Sequence, residues 1–473
     1  MSTQNRVSLT GRSFHIITLG CKVNQFESDA MRRLLEEAGA VWSGLEQAEI
    51  CIINTCSVTN IADRKSRQMM HHARKLRPNA VIAACGCYVQ AAGESLLRDG
   101  SVDLLIGNDR KSQVSEILYE YLNPFPEITD DKTTVLYDGK SGVPNLSQDP
   151  RKRLFMTDIS APCKFEQLPA ALPGSMTRAY LKIQDGCNAF CTYCIIPYVR
   201  GRIRNKPLAD ILRETGVLAS GGVREVVLTG IHLSAFDDAE KANGSTLTLT
   251  DVIRQIAAVP GIERIRLGSL EPRVITPEFL QVITSIPKVC PHFHLSLQSA
   301  DDRTLKRMNR HYTIEEFMDI TRLLREAYDR PALTTDVIVG FPGETEEEFE
   351  NTCANLEKLD FYEMHVFKYS RRRGTLADKM PDQLTEAVKN ERSRRLLAMT
   401  ASHKAKYEAS FKGEQQNVLV EEVLRTDKGI FLRGHTERYI LVDIPFECLS
   451  SSCSISNQPA PEEFINRIIS FKN

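Results

Sequence analysis

The chain has 473 residues, of which 42% are hydrophobic and 26% are charged. This length predicts about three domains, and the composition excludes a disordered chain and a fibrous repeat. The net charge of −1 means that any contact with nucleic acid must come from local basic patches. No apolar run is long enough to cross a bilayer, and residues 1–12 lack the apolar segment of a secretion signal. We therefore expect a cytoplasmic protein without a membrane partner, whose 13 cysteines are reduced thiols or metal ligands.

The first block, residues 13–122, alternates short apolar runs with charged segments of helical periodicity. Four apolar runs are typical of buried strands: 14–20, 49–56, 80–87 and 102–108. This alternation predicts an N-terminal α/β domain with a parallel sheet. Residues 123–177 are rich in Pro, Ser, Asp and Lys and have little periodicity, which predicts a linker.

The central block, residues 178–382, contains six apolar runs, each followed by a helical segment. The runs begin at residues 179, 225, 263, 292, 332 and 363. Six βα units predict either an open partial barrel or a doubly wound sheet, and in both folds ligands bind at the carboxyl ends of the strands. Residues 383–411 predict a long charged connecting helix. Residues 412–473 predict a small β domain that ends in a tail without a recognisable pattern.

The motif DGCNAFCTYCIIPYVRGR contains three closely spaced cysteines. Cys187, Cys191 and Cys194, here called the loop trio, have the spacing CxxxCxxC directly after the first central strand. Three thiolates on one short loop can hold three corners of a four-iron cluster and leave the fourth iron open to another ligand. The alternative is a structural zinc site. Closed zinc sites take four ligands, and no Cys or His lies between Cys194 and His232, so this alternative needs a distant fourth ligand.

Three more cysteines follow predicted strands of the first block. Cys21, Cys56 and Cys87, here called the strand-end trio, lie in TLGCKVNQFES, NTCSVTNIADRKSRQ and CGCYVQ. Because parallel strands bring their carboxyl ends to one edge of the sheet, these thiols could converge on a second cluster. The alternative for each is a small buried core residue, which is our interpretation of Cys51 and Cys85.

Six long motifs resemble those of the radical S-adenosylmethionine methylthiotransferases: TLGCKVNQFES, INTCSVTNIADRKSRQ, GCYVQ, CNAFCTYCIIPYVRGR, SLQSADDRTLKRMNR and DVIVGFPGETEEEFE. The similarity extends from Phe14 to Asp443. Within the family the chain is most similar to the MtaB type, the tRNA N6-threonylcarbamoyladenosine methylthiotransferases. The features that indicate this type are KVNQ after Cys21 and VTNIADRKSRQ after Cys56.

The resemblance implies two [4Fe-4S] clusters and S-adenosylmethionine as cofactors. The strand-end trio would ligate an auxiliary cluster, and the loop trio would ligate the cluster that binds and cleaves S-adenosylmethionine, so that all six thiols are metal ligands and catalytic. Seven residues, six of them at strand ends, would form the S-adenosylmethionine pocket: Tyr193, Thr229, Gly230, Ser269, Glu271, Gln298 and Gly340. Each of these could instead be an ordinary core, turn or capping residue.

The run VLVEEVLRTDKGIFLRGHTERYILVDI resembles a TRAM domain, a small β-barrel that binds RNA. Lysine and arginine supply salt-sensitive phosphate contacts, while specificity comes from splayed single-stranded bases. Seven residues are candidate RNA contacts: Arg371, Arg372, Arg373, Arg433, His435, Arg438 and Tyr439. The first three follow the sixth central strand and would lie at the active rim. The alternative for the last four is an ordinary solvated β surface, which has the same composition.

The resemblance predicts a radical S-adenosylmethionine transferase that adds a methylthio group to the C-2 carbon of N6-threonylcarbamoyladenosine at position 37 of tRNA. That carbon is unactivated, which is why a radical generator is needed. The implied partners are the tRNA anticodon loop, an electron donor and a sulfur source. Two alternatives stay open. One is a sister methylthiotransferase acting on isopentenyladenosine in tRNA or on a ribosomal-protein aspartate. The other is a non-catalytic RNA-binding protein that contains zinc.

Overall fold

A computed structural model describes six stretches of the chain: 7–123, 153–161, 163–170, 177–238, 247–450 and 460–472. The chain divides into two compact units. The first unit consists of residues 1–171, 185–204 and 370–375, and the second of residues 172–184, 205–369 and 376–473. Within the described stretches, no helix has both the length and the apolar character needed to span a membrane.

The first unit is built on a six-stranded parallel sheet. Its strands are β1 (Ser13–Thr18), β2 (Val41–Trp42), β3 (Ile50–Thr55), β4 (Val81–Gly86), β5 (Leu104–Ile106) and β6 (Arg153–Phe155). They lie in the order β2-β1-β3-β4-β5-β6, and every neighbouring pair is parallel. The predicted N-terminal parallel α/β fold is confirmed. Residues 153–155 lie in the predicted linker but form the edge strand β6, which was not predicted. Most other residues of the predicted linker lie outside the described stretches.

Apolar residues cover both faces of this sheet. The helices of the unit are α1 (Lys22–Glu37), α2 (Asn60–Leu76), α3 (Cys87–Ala92), α4 (Val114–Leu122) and α5 (Ile196–Arg200). In β3, Ile50 and Ile52 join one apolar cluster, while Cys51 and Ile53 join the cluster on the opposite face. Successive side chains of a strand point to opposite faces, so an uninterrupted apolar run is what a doubly covered parallel strand requires.

The second unit contains the six central strands side by side in sequence order. The strands of this region are β7 (Arg178–Lys182), β8 (Gln184–Asp185), β9 (Arg204–Asn205), β10 (Glu225–Thr229), β11 (Asp237–Asp238), β12 (Leu247–Thr248), β13 (Arg264–Leu267), β14 (Ser269–Leu270), β15 (His292–Gln298), β16 (Ala332–Val339) and β17 (Glu363–Lys368). The main strands form the parallel sheets β13-β10-β7 and β14-β15-β16-β17, and only Gly268 separates β13 from β14.

This strand order decides between the two predicted folds. Right-handed crossovers that always step in one direction put every helix on one face of the sheet and leave the other face as a concave interior. A doubly wound sheet needs a reversal of strand order. The partial barrel is therefore confirmed, and the doubly wound alternative is wrong. The helices of the unit are α6 (Leu208–Ser220), α7 (Leu249–Ala257), α8 (Pro277–Thr284), α9 (Asp302–Arg307), α10 (Ile314–Ala327), α11 (Glu346–Leu359) and α12 (Glu386–Ala409).

The C-terminal part of the second unit is a four-stranded antiparallel half-barrel sheet. Its strands and short helix are β18 (Gln415–Thr426), β19 (Gly429–Thr436), β20 (Leu441–Pro445), α13 (Phe446–Ser450) and β21 (Ile468–Lys472). They lie in the order β20-β19-β18-β21. The predicted small β domain is present, and its tail, for which no strand was predicted, supplies the edge strand β21.

Candidate functional site

The strand-end trio lies at one edge of the parallel sheet of the first unit. Cys21 is the residue before α1, Cys56 directly follows β3, and Cys87 begins α3 directly after β4. The strands β1, β3 and β4 are neighbours in the sheet, so their carboxyl ends meet. A methyl group on Gly20 would lie 3.0 Å from Cys56 Sγ, which shows how closely the loop of Cys21 approaches Cys56. The predicted convergence of these three residues is present in the structure.

Burial and neighbouring charges raise the pKa values of two of the strand-end thiols. Burial raises the pKa of Cys56 to about 11, and the Cys87 and Cys21 thiols add to this rise. Burial raises the pKa of Cys87 as well, while Arg200 opposes that effect and Cys21 reinforces it. Cys56 and Cys87 are buried and Cys21 is exposed, and no disulfide links any cysteine that the structure describes.

Two glycines make room for the strand-end trio. Gly86 has φ +94° directly before Cys87, and a methyl group on it would lie 2.6 Å from the backbone nitrogen of Thr55. Gly20 has φ +104° directly before Cys21, and its methyl group would lie 2.7 Å from Cys56 Cβ. A side chain at either position would combine an unfavourable backbone conformation with a clash. Both loops therefore require glycine to bring the cysteines together.

The loop trio lies in a tight segment that is held by backbone hydrogen bonds. The Cys187 amide donates to the Gly201 carbonyl at 3.0 Å, and the Cys194 amide donates to the Cys191 carbonyl at 3.0 Å. The Ala189 amide points at Cys187 Sγ, 3.4 Å away. All three cysteines of the trio are half-buried. Amide donors directed at a sulfur ligand are a common feature of iron–sulfur sites.

The two trios are neighbours within the first unit. Cys87 packs against Ile195, which directly follows Cys194, and against Val199 of α5. Cys87 begins α3, so the contact joins the short helices that follow the two cysteine sites. The two candidate clusters would thus lie on the same side of the sheet, close to one another.

A buried network of charged residues links the two sites, and the sequence reasoning did not identify it. Arg200 at the end of α5 is completely buried. Its Nε donates to Cys87 Sγ at 3.3 Å, and its terminal nitrogens donate to Glu27 at 2.7 Å and to Asn24 at 2.8 Å. Asp185 lies 3.3 Å away. Burial alone would lower the pKa of Arg200, but Cys87, Glu27 and Asp185 raise it well above its ordinary value, so the guanidinium is charged.

The residues present fit two clusters of the predicted type. Each trio offers three thiols, and the buried positive charge of Arg200 beside Cys87 would compensate negative charge on a cluster bound there. Cys85 points into the apolar cluster on one sheet face, as expected of a core residue. Cys163 accepts a hydrogen bond from Arg204 at 2.6 Å. With three thiols for four irons, each cluster would keep one iron open to another ligand.

The predicted S-adenosylmethionine residues of the second unit lie at carboxyl ends of barrel strands. Thr229 ends β10, Gln298 ends β15, and Gly340 directly follows β16. Gln298 and Gly340 have positive φ values of 74° and 72°, which turn the chain at the rim. The remaining members are Gly230 directly after β10, Ser269 in β14, and Glu271, which precedes a short helix and pairs with Arg273. Tyr193 lies in the first unit, within the loop trio segment. Their roles stay predictions.

Most predicted RNA contacts already have partners within the protein. In the first unit, Arg372 is buried and donates to Asp63 at 2.5 Å, while Arg371 and Arg373 are exposed. The four candidates of the C-terminal sheet contact other residues of the second unit: Arg433 binds Asp443 at 2.6 Å, His435 binds Glu421 at 2.7 Å, Arg438 donates to the Arg330 carbonyl at 3.0 Å, and the Tyr439 ring lies under Arg266. An RNA phosphate would compete with these partners, so their role in RNA binding stays a prediction.

Comparisons with known proteins cover most of the chain. Residues 181–356 match the radical SAM superfamily, and residues 13–107 match a family described as uncharacterized protein family UPF0004. The threonylcarbamoyladenosine tRNA methylthiotransferase MtaB of Bacillus subtilis (strain 168) is 37% identical over 432 residues, which are 91% of this chain and 89% of the relative. MtaB of Aquifex aeolicus (strain VF5) is 36% identical over 86% of this chain and 92% of the relative.

A sister enzyme and a solved structure are also similar. The tRNA-2-methylthio-N(6)-dimethylallyladenosine synthase of Acetivibrio thermocellus is 34% identical over 88% of this chain and 82% of the relative. The radical S-adenosylmethionine methyltransferase TsrM of Kitasatospora setae superposes with a TM-score of 0.52 at 14% identity, over 76% of this chain and 73% of that chain, which is a likeness of fold. Together with the two cysteine trios, these similarities place the chain in the radical S-adenosylmethionine methylthiotransferase family, a family of enzymes that use [4Fe-4S] clusters and S-adenosylmethionine.

Proposed function

We propose that the chain adds a methylthio group to the C-2 carbon of N6-threonylcarbamoyladenosine at position 37 of tRNA, in the cytoplasm. The observation that carries this proposal is the contact of Cys87 with Ile195 beside Cys194, which brings two three-thiol sites together in one unit. The substrate is that of the relatives that are 36–37% identical over at least 86% of the chain. The anticodon loop, an electron donor and a sulfur source are the partners the reaction needs.

The protein's own residues bind and position the reacting groups. When bound, the two clusters and S-adenosylmethionine supply the electron, the sulfur and the methyl group for an unactivated carbon. The six thiols would hold the two clusters, and the apolar contact of Ile195 and Val199 with Cys87 keeps the two sites near each other. Arg200 holds Cys87 by a hydrogen bond and brings a positive charge to it. The adenosine has to leave its stack to reach the space between the two sites.

Cysteine variants test the division of labour between the two trios. Cys191→Ala is expected to abolish S-adenosylmethionine cleavage and leave tRNA affinity nearly unchanged. Cys56→Ala is expected to retain cleavage and lose the methylthio product. Cys353→Ala, in helix α11 of the second unit, is the matched control and should retain both activities. Normal cleavage by the Cys191 variant, or full product from the Cys56 variant, would contradict the assignment.

A second experiment separates this function from its two alternatives. Nucleosides of tRNA from cells lacking the protein are analysed by mass spectrometry, with and without the gene restored. Loss of only the 2-methylthio form of threonylcarbamoyladenosine supports the proposal. Loss of the methylthio form of isopentenyladenosine, or of a modified ribosomal aspartate, supports a sister enzyme. Colourless anaerobic protein that contains zinc and no iron would support the RNA-binding alternative.

A further inference from the structure

Three potential metal ligands lie together inside the partial barrel, away from both cysteine trios in sequence. His294, Asp336 and His365 each offer one donor atom, and these three atoms all lie within 4.8 Å of one another. We call them the His-Asp-His cluster. Neither the cysteine chemistry nor the predicted S-adenosylmethionine residues include any of them.

The sheet register explains why these residues meet. They lie on the neighbouring parallel strands β15, β16 and β17, and Asp336 is directly opposite His365 in the ladder. His294 is opposite Thr334, two residues before Asp336, so all four side chains point to the same face. The alternate residues Leu295 and Val337 belong to the apolar core on the other face. The His-Asp-His cluster therefore faces the concave interior.

The spacing of the donor atoms allows all three residues to bind one metal ion. His294 Nε2 and Asp336 Oδ2 are 3.3 Å apart, a spacing at which both atoms can bind one ion. The other ring nitrogen of His294, Nδ1, forms a hydrogen bond of 3.0 Å with the Thr334 hydroxyl. Metal-binding histidines almost always use their second nitrogen in this way, because the bond fixes the ring orientation. The His294 and His365 rings stack with centroids 5.6 Å apart.

Solvent can reach the His-Asp-His cluster. The side chains of His294 and Asp336 are 13% and 28% exposed, and His365 is exposed. His294 lies four residues before Gln298 at the rim, or about 13 Å along the strand, so the cluster is separate from the rim. An ordinary His–Asp hydrogen bond would involve only His294 and Asp336, whereas the donor atoms of all three residues lie close together.

We propose that His294, Asp336 and His365 bind one divalent first-row transition metal ion. Two imidazoles and one carboxylate on one side of the ion leave its other positions for water or an oxygen ligand. The ion would join β15, β16 and β17 at the open side of the barrel, where β17 is the edge strand of its sheet. This inference does not depend on the proposed tRNA substrate.

Mn²⁺ is the probe, because binding to the protein removes the six-line electron paramagnetic resonance spectrum of the aqueous ion. Full-length protein is reconstituted anaerobically with iron and sulfide, treated with a chelator to remove iron bound outside the clusters, desalted and titrated with Mn²⁺. The wild type is expected to bind one Mn²⁺ per chain more than Asp336→Asn or His365→Gln, with the same iron content in all three. His311→Gln, at an exposed histidine of the same unit, is the matched control and should bind as the wild type does. Thr334→Val should weaken Mn²⁺ binding about tenfold or more.

A measurement on the wild type alone guards against misfolded variants. Mn²⁺ should protect His294 and His365 from modification by diethyl pyrocarbonate, read by peptide mass spectrometry, and should not protect His311. Zn²⁺ should displace the Mn²⁺, because it binds such sites more tightly. Equal Mn²⁺ binding by the wild type and Asp336→Asn, or no metal-dependent protection of the two histidines, would overturn the proposal.

Discussion

Replacing Arg200 with methionine is expected to weaken the first unit around the strand-end trio by about 4 kcal/mol. The guanidinium is completely buried and contacts Glu27 and Asp185. Removing one partner of a buried ion pair costs about 3–5 kcal/mol, because charge is left in the interior without its counterpart. The two acids keep partial compensation, since Lys111 still contacts Glu27 and Arg204 lies 3.4 Å from Asp185. The lost hydrogen bond to Asn24 adds roughly 1 kcal/mol. These opposing effects give an expected cost of about 4 kcal/mol, the middle of that range.

Hydrogen exchange read by mass spectrometry measures this loss locally, which suits a chain that need not unfold in one step. About 4 kcal/mol corresponds to a local opening equilibrium raised by roughly three orders of magnitude. We expect this change in the peptides that contain Glu27 and Cys87. Arg202→Met is the matched control, because Arg202 lies in the same motif and is exposed. It should change the local opening free energy by less than about 0.5 kcal/mol.

The same variant has a redox signature. Arg200 donates a hydrogen bond to Cys87 Sγ, and hydrogen bonds and charge at the sulfurs set the potential of an iron–sulfur cluster. Without this positive charge the auxiliary cluster should accept an electron less readily, so its reduction potential should become more negative. Potentiometric titration followed by electron paramagnetic resonance measures it. A local opening free energy within about 1 kcal/mol of the wild-type value, together with an unchanged reduction potential, would refute the role given to Arg200.

Three further outcomes follow from single residues. Gly86→Ala should cost about 1–3 kcal/mol from the backbone alone and lower the iron content after reconstitution, which iron analysis measures, because its methyl group would lie 2.6 Å from the Thr55 nitrogen. In apo-protein at pH 8, iodoacetamide should label exposed Cys21 quickly and Cys51 only on unfolding. Burial raises the pKa of Cys51 from 9.0 to about 11, so the stability it contributes is full below pH 9 and is lost as the pH rises towards 11. Arg433→Ala should change stability by less than about 1 kcal/mol, because its ion pair is exposed. In a filter-binding titration it should reduce the salt dependence of tRNA binding by about one ion.

Local patterns made much of the fold and both cysteine trios predictable. The CxxxCxxC spacing is a property of eight consecutive residues, and each member of the strand-end trio follows an apolar run that ends at a loop. Helix starts are local patterns of the same kind: Thr313 with Glu316 forms a capping box before α10, and Thr345 with Glu348 forms one before α11. These features need no knowledge of which elements pack together.

The parts that sequence reasoning missed depend on tertiary placement. Arg200 reads as a surface arginine because charged residues are almost never fully buried unless they are paired, and its partners lie up to 176 residues away. The His-Asp-His cluster depends on the relative register of three strands, which is fixed by packing and cannot be read from any one strand. Strand β21 at residues 468–472 lacks an apolar alternation strong enough to reveal it.

The two candidate cluster sites are held together by residues that are not iron ligands. The strand-end trio owes its position to sheet topology, because neighbouring parallel strands end at one edge. Nothing in that topology brings the loop trio to the same edge. Ile195 and Val199 do so by packing on Cys87, and Arg200 does so by donating to Cys87 while it binds Glu27 of α1. The separation between the two sites is thus set in the six residues that follow the last loop cysteine.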